Sequence, residues 1–282
     1  MKGQRTDSAA LAAPDPRDPS AEVEATTWRD TGPISARNTS RGGLVREAHA
    51  VLRALGAGLS IQEIHAACLN GKLLRQPARA SREKVWSGLN WRYLAWHPPA
   101  WVIRDLVSAA QRAGTDPRLV GLLYVHYARW DRLAYEFVTR FLWPKWTGRQ
   151  LRVDSNDVLD FLSYDPERAE QSRSWTDAGR RKLARNLLSS LRDFGLLRGS
   201  RQKQIQRPIF APEVTRHLAQ LLFAEGLRGR ALLEAEDWRL FLWDDTDVAD
   251  AFAKLAQEGL LRFEKVGRTV ILEIPDTSWE LS

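Results

Sequence analysis

Apolar residues recur at helical spacing along most of this chain, beginning near Leu44. Leu44, Ala48, Val51, Leu52 and Leu55 make the first stripe, and Gly56 and Gly58 end it. Ser60 followed by Glu63 is a capping box, which starts a second helix running through Ile64 and Cys68 to Asn70-Gly71. Ser81 predicts the cap of a third helix carrying Val85, Trp86, Leu89 and Leu94. Three short helices so spaced suit either a helix-turn-helix or a plain helical bundle. Pro98-Pro99 interrupts the pattern, Trp101–Ala113 resumes it, and Gly114 stops it. Asp116-Pro117 then sets a cap with proline at the first helical position. A helix over Leu119–Trp130 follows, and another over Arg132–Trp146 turns Leu133, Phe137, Phe141 and Leu142 inward until Pro144 breaks it.

The pattern changes after residue 150. Residues 154–163 form a short helix with Val158, Leu159, Phe161 and Leu162 apolar, and the charged stretch 165–172 supplies a middle helix or turn. A long helix over 176–194 comes next, with Ser174 and Asp177 as its expected cap and Gly195 as its stop. Leu183, Leu187, Leu191 and Phe194 line one side, while Arg181, Arg185 and Arg192, with Lys182 beside them, fall on the other. Leu196-Leu197 begins a strand, Gly199–Gln206 is a basic loop, and Ile209 and Phe210 return to the core. A helix followed by such a hairpin is the back half of a winged helix-turn-helix. The C-terminal stretch repeats the scheme. There Val248, Phe252 and Leu255 form a helical stripe, and LLRFEKV and TVILEI flank Gly267-Arg268 as a hairpin with a type II′ turn.

The expected fold is therefore mainly α: a helical N-terminal domain plus winged helix-turn-helix units with small β-hairpin wings. Residues 1–39, broken by Pro14, Pro16, Pro19 and Pro33 and poor in large apolar side chains, read as a disordered tail. Residues 40–150 read as the helical domain, 151–212 as a basic winged-helix domain, and 213–282 as an acidic helix-plus-hairpin unit.

Charge sharpens this division. Residues 173–207 hold ten Lys or Arg and two Asp, a net of +8 in a chain whose total is +7, so the remainder is close to neutral. Residues 233–282 carry twelve acids and five bases, a net of −7. A basic patch this concentrated is the electrostatic footprint of a polyanion partner. The acidic unit would repel a phosphate backbone and is read as a packing or partner-binding module. Arg180, Arg181, Lys182, Arg185 and Arg192 on the helix, with Arg198, Arg201, Lys203 and Arg207 on the wing, are the candidate DNA-binding residues. Cations outnumber amides such as Asn186 there, so contacts fall mainly on phosphates, with low sequence specificity and strong salt dependence.

Catalytic and metal chemistry find no foothold in the motifs. There is no phosphate loop, GxGxxG, HExxH or GxSxG. The five histidines, at 49, 65, 97, 126 and 217, form no pair at helical spacing. Asp154, Asp157 and Asp160, and likewise Asp244, Asp245, Asp247 and Asp250, stand at predicted helix starts, where carboxylates cap free amides. A lone Cys68 forms no internal disulfide. Neither a transmembrane run nor a signal core is expected, and neither is a cofactor, so the chain reads as a cytoplasmic, non-enzymatic protein. Twelve tryptophans, among them Trp130, Trp143 and Trp146, are read as core packing in preference to a base-stacking platform.

Several short segments carry a family likeness. These are Ser40-Arg-Gly-Gly-Leu44 leading into Glu47, Leu69-Asn70 before Ser81-Arg82, the aromatic-rich stretch Asp131–Phe141, and Leu187–Leu197 ending in Gly-Leu-Leu. Over roughly residues 40–225 the chain resembles the BrxA family, the small helical component of bacterial BREX phage-defence systems. That resemblance implies a nearly all-helical fold with winged-helix character, double-stranded DNA as a ligand, no enzymatic activity, and work beside a methyltransferase, an ATPase and a phosphatase-like protein. Two further readings stay open: an RNA-binding protein of the antitermination type, and an interaction scaffold whose basic patch meets an acidic partner. A sequence-specific repressor is a third.

Overall fold

In the computed structural model, residues 27–39, 42–267 and 269–274 are described. The tail expected over 1–26, Ser40 and Arg41 of the family motif, and Arg268 of the C-terminal turn lie outside them. The chain is mainly helical, and its described strands form two small antiparallel sheets.

The first helices are α1 (Val45–Gly56), α2 (Ile61–Leu69), α3 (Arg79–Tyr93), α4 (Ala100–Ala110) and α5 (Pro117–Trp130). Ser60 and Glu63 make the expected reciprocal cap at α2, and Asp116 accepts from the Arg118 amide at the head of α5. The third helix starts earlier than Ser81. Ala78 is its N-cap, in extended conformation, and having no polar side-chain atom it makes no capping hydrogen bond. α5 is the central pillar, with nine consecutive buried residues from Gly121 to Arg129 and Leu119 buried before them. α3 and α4 pack on it, as does α11 (Pro212–Ala224), arriving from far along the chain. Gly121 permits that last approach: a Cβ there would stand 2.6 Å from Val214 Cγ2 and 2.9 Å from Phe210 Cδ1.

The Arg132–Trp146 stretch is not one helix broken at Pro144. α6 (Arg132–Phe137) leads into a π-helical turn over Val138–Leu142 and then into α7 (Trp143–Thr147), with Pro144 in the first turn of α7. Proline lacks an N–H and crowds the carbonyl four residues back. One wide turn, in which the Trp143 amide donates to Val138 O, relieves that conflict and lets the chain stay helical.

After α7 come β1 (Arg152–Val153), α8 (Ser155–Tyr164), α9 (Pro166–Ser172), α10 (Asp177–Asp193), β2 (Leu197–Arg198) and β3 (Lys203–Ile205). The sheet order is β1-β3-β2, antiparallel throughout. α12 (Gly229–Leu233), a 3-10 turn over Glu236–Phe241, α13 (Asp245–Gln257), β4 (Arg262–Val266) and β5 (Thr269–Glu273) complete the chain. Residues 229–241 thus form two short pieces, and Leu242 takes a left-handed conformation at the end of the second.

A single hydrophobic core runs through all of this, without a break at residues 150 or 212. Part of the segment read as tail also belongs to the body. Ile34 is buried, the Trp28 amide donates to Glu225, the Asp30 amide to Arg129 O, and the Ala36–Thr39 turn packs on α10. Proline and polarity mark this strap as non-helical, but its partners are distant residues invisible to local composition.

Candidate nucleic-acid interface

The cap of α10 is Thr176, whose hydroxyl accepts from the Gly179 amide at 3.1 Å; Ser174, the expected cap, lies before the helix. Asp177 sits in the first turn, where the helix dipole favours it, and pairs with Arg180 at 2.5 Å. Leu183, Ala184, Leu187, Leu188 and Leu191 are buried, and the helix packs on α8. That fixes the outward face. Arg181, Lys182 and Arg185 are exposed and form no ion pair or hydrogen bond among the described residues. At the far end Arg192 meets Asp193 at 3.0 Å, and Asp193 also accepts from the Gly43 amide at 3.0 Å. One of the two acids in the basic segment therefore ties the Gly42-Gly43 motif to the end of α10.

The hairpin after α10 is small and specific. Leu197 and Ile205 face each other and are buried, while Arg198 opposes Gln204 and donates to its Oε1 at 2.9 Å. Gly199, at φ +96°, makes the turn possible, since a Cβ would lie 2.7 Å from Gln202 O. Arg201 is exposed at the tip. Lys203 Nζ donates to Ser200 O at 2.7 Å. Partial burial, and secondarily the Arg192 guanidinium, hold the Lys203 ammonium below the ordinary lysine range.

Arg207 stands apart from the other eight candidates. Its guanidinium makes a two-pronged bond to Asp247, at 2.8 and 2.7 Å, and donates to Leu242 O. Asp247 belongs to α13, so this cation anchors the acidic unit and its charge is already matched. Charge counting along the sequence treats Arg207 as free because its partner is forty positions away. The strand β1 was also missed: two residues, Arg152 opposite Gln204 and Val153 opposite Lys203, are too few to show alternation. A short polar-apolar pair just before the Asp154 cap was its only signal.

Both acidic clusters cap helices, as expected. Asp154 and Asp157 form a reciprocal box at α8, and Asp244 and Asp247 form another at α13. No group of metal-binding side chains occurs among the described residues, and no described helix is long and apolar enough to cross a membrane. Trp130 stacks on Trp96 inside the helical body, and Trp143 and Trp146 pack on the core.

Two polar groups are buried under α5. His126 Nε2 meets His217 Nε2 at 2.8 Å, and His217 Nδ1 meets Asp105 Oδ2 at 2.6 Å. Arg129, fully enclosed, pairs with both Glu225 and Asp237. Tyr135 Oη donates to the same Asp237 at 3.1 Å.

Comparison with known proteins adds a family and a fold. The model of the BrxA family matches residues 33–221. Among solved structures, the crystal structure of an uncharacterized protein from Magnetospirillum magneticum aligns with a TM-score of 0.56 at 16% identity. The alignment covers 75% of this chain and 100% of that one. Curated proteins give no match.

Proposed function

The chain belongs to the BrxA family, which makes it a component of a bacterial BREX phage-defence system, and on that premise we propose that it is a non-enzymatic protein that binds double-stranded DNA. In this reading β1, α8, α9, α10, β2 and β3 are a winged helix-turn-helix, with α10 as the recognition helix and the loop 199–202 as the wing tip. The observation that carries it is the outward face of α10, where three exposed cations make no hydrogen bond or ion pair among the described residues, beside a hairpin that adds more. A solvated helix face in a folded protein usually alternates its charges. This one is left for an anion that repeats, as a phosphodiester backbone does.

Arg181, Lys182 and Arg185 then meet phosphates or guanine edges, and Arg201 and Lys203 meet the flanking backbone. Arg180, Arg192 and Arg198 are held by side chains of their own and support these contacts at most through their field. Arg207 is a structural residue. The acidic unit beyond it is the surface for neighbouring defence proteins, among which a methyltransferase, an ATPase and a phosphatase-like protein are the expected company.

Fluorescence anisotropy with a random duplex across a salt series is the test. Five neutralised phosphates give a slope of log K against log salt of about −4 to −5. A slope near zero contradicts the electrostatic model. Preference for RNA over duplex DNA in direct competition would replace it with the antitermination reading.

A further inference from the structure

Across the wing from α10 lies a polar groove of about 660 Å³, lined by Lys145, Arg149, Gln150, Leu151, Arg152, Gln202, Lys203 and Gln204. Four of these are cations, three are amides, one is apolar, and no carboxylate lines it. Lys145 comes from the middle of α7, Arg149 from the loop that follows, Arg152 from β1, and Lys203 from β3. The sheet pairing brings them together, with Arg152 opposite Gln204 and Val153 opposite Lys203. Lys145 is already held, by Asp157 at 2.8 Å and Arg152 O at 3.1 Å. Arg149 and Arg152 are exposed and make no side-chain hydrogen bond or ion pair among the described residues.

We propose that this groove is a second phosphodiester-binding site, in which Arg149 and Arg152 take the nucleic-acid backbone beyond the wing, so that the wing is clasped by phosphate contacts on both sides. The proposal rests on the nucleic-acid reading above and extends it to residues outside the basic segment. Its chemistry is that of a backbone and not of a base or a small apolar ligand: amides and cations line the groove, and little apolar surface is there to stack on. Lys203 is shared by wing and groove, so a strand contacting one is led into the other. Arg149 takes a left-handed conformation, at φ +56°, as part of the cap that ends α7, where the Gln150 amide donates to Lys145 O; glycine takes such a position at no steric cost.

The same feature supplies the test. Arg149→Gly relaxes the backbone while removing the charge, and Arg152→Gln keeps a hydrogen-bonding side chain on the edge strand. The R149G/R152Q protein should melt no lower than wild type. On a random duplex of about three helical turns, its slope of log K against log salt should be shallower by about 1.8, at about 0.9 per lost phosphate contact. An R181A/K182A/R185A protein is measured beside it. If both variants lose slope, groove and helix both bind. A groove variant that matches wild type while the helix variant weakens overturns the groove and leaves the α10 reading standing. The converse, a weakened groove variant beside an unaffected helix variant, upholds the groove and overturns α10. Absence of binding by the wild type overturns both.

Discussion

At the scale of single residues, the folded body is held by buried polar groups whose partners lie far apart in sequence. Burial, with His217 and Arg129 adding to it, pushes the His126 imidazole well below the ordinary histidine range. The unfolded chain therefore takes up a proton that the folded one resists. Stability is full above pH about 6.5 and is lost as pH falls below that value. Thermal melting of wild type and H126Q between pH 7.5 and 5, in steps of about half a unit, should show the gap between them closing toward acid; a constant gap would mean that His126 titrates normally. Arg129 makes a second case. Truncation to alanine leaves Glu225 and Asp237 enclosed without their cation, and R129A should lose about 3–5 kcal/mol in denaturant unfolding. A loss below about 1 kcal/mol would mean that water reaches the pair.

At the scale of elements, local signals worked where the cause of the structure is local. The capping box at Ser60, the Asp116-Pro117 start, the two aspartate caps and the apolar stripe of α10 depend on residues within one or two turns of each other. The errors have a different origin. Thr176 takes the cap from Ser174, two residues before it, because both are good cap residues and only the path of the chain out of α9 chooses between them. The π turn before Pro144 depends on the core holding the helix on course. β1 exists because β3 offers it an edge, and Arg207 is spoken for because α13 offers Asp247. Of the candidate interface, the exposed face of α10 was legible from spacing alone, whereas the groove at Arg149 and Arg152 was not. The β2–β3 hairpin is the element most exposed to a single change. G199A places a Cβ against Gln202 O at a positive φ, so exchange of the β2–β3 amides should quicken while that of α5 stays protected. Equal protection in the mutant would show that the turn tolerates a side chain.

At the scale of the whole molecule, the distribution of charge is the organising fact. The basic segment 173–207 and the acidic segment 233–282 nearly cancel in sum, yet they are joined through Arg207 and Asp247 on one continuous core. On the function proposed above, the cationic region meets DNA and the anionic region meets neighbouring defence proteins. The central claim is that the α10 face is the nucleic-acid surface. The most direct measurement is the anisotropy salt series for R181A/K182A/R185A against wild type, with melting curves to show that both are folded. The account predicts an unchanged melting temperature, much weaker binding, and a slope shallower by roughly 2.7 for three lost phosphate contacts. Equal affinity and equal slope in the two folded proteins would contradict it.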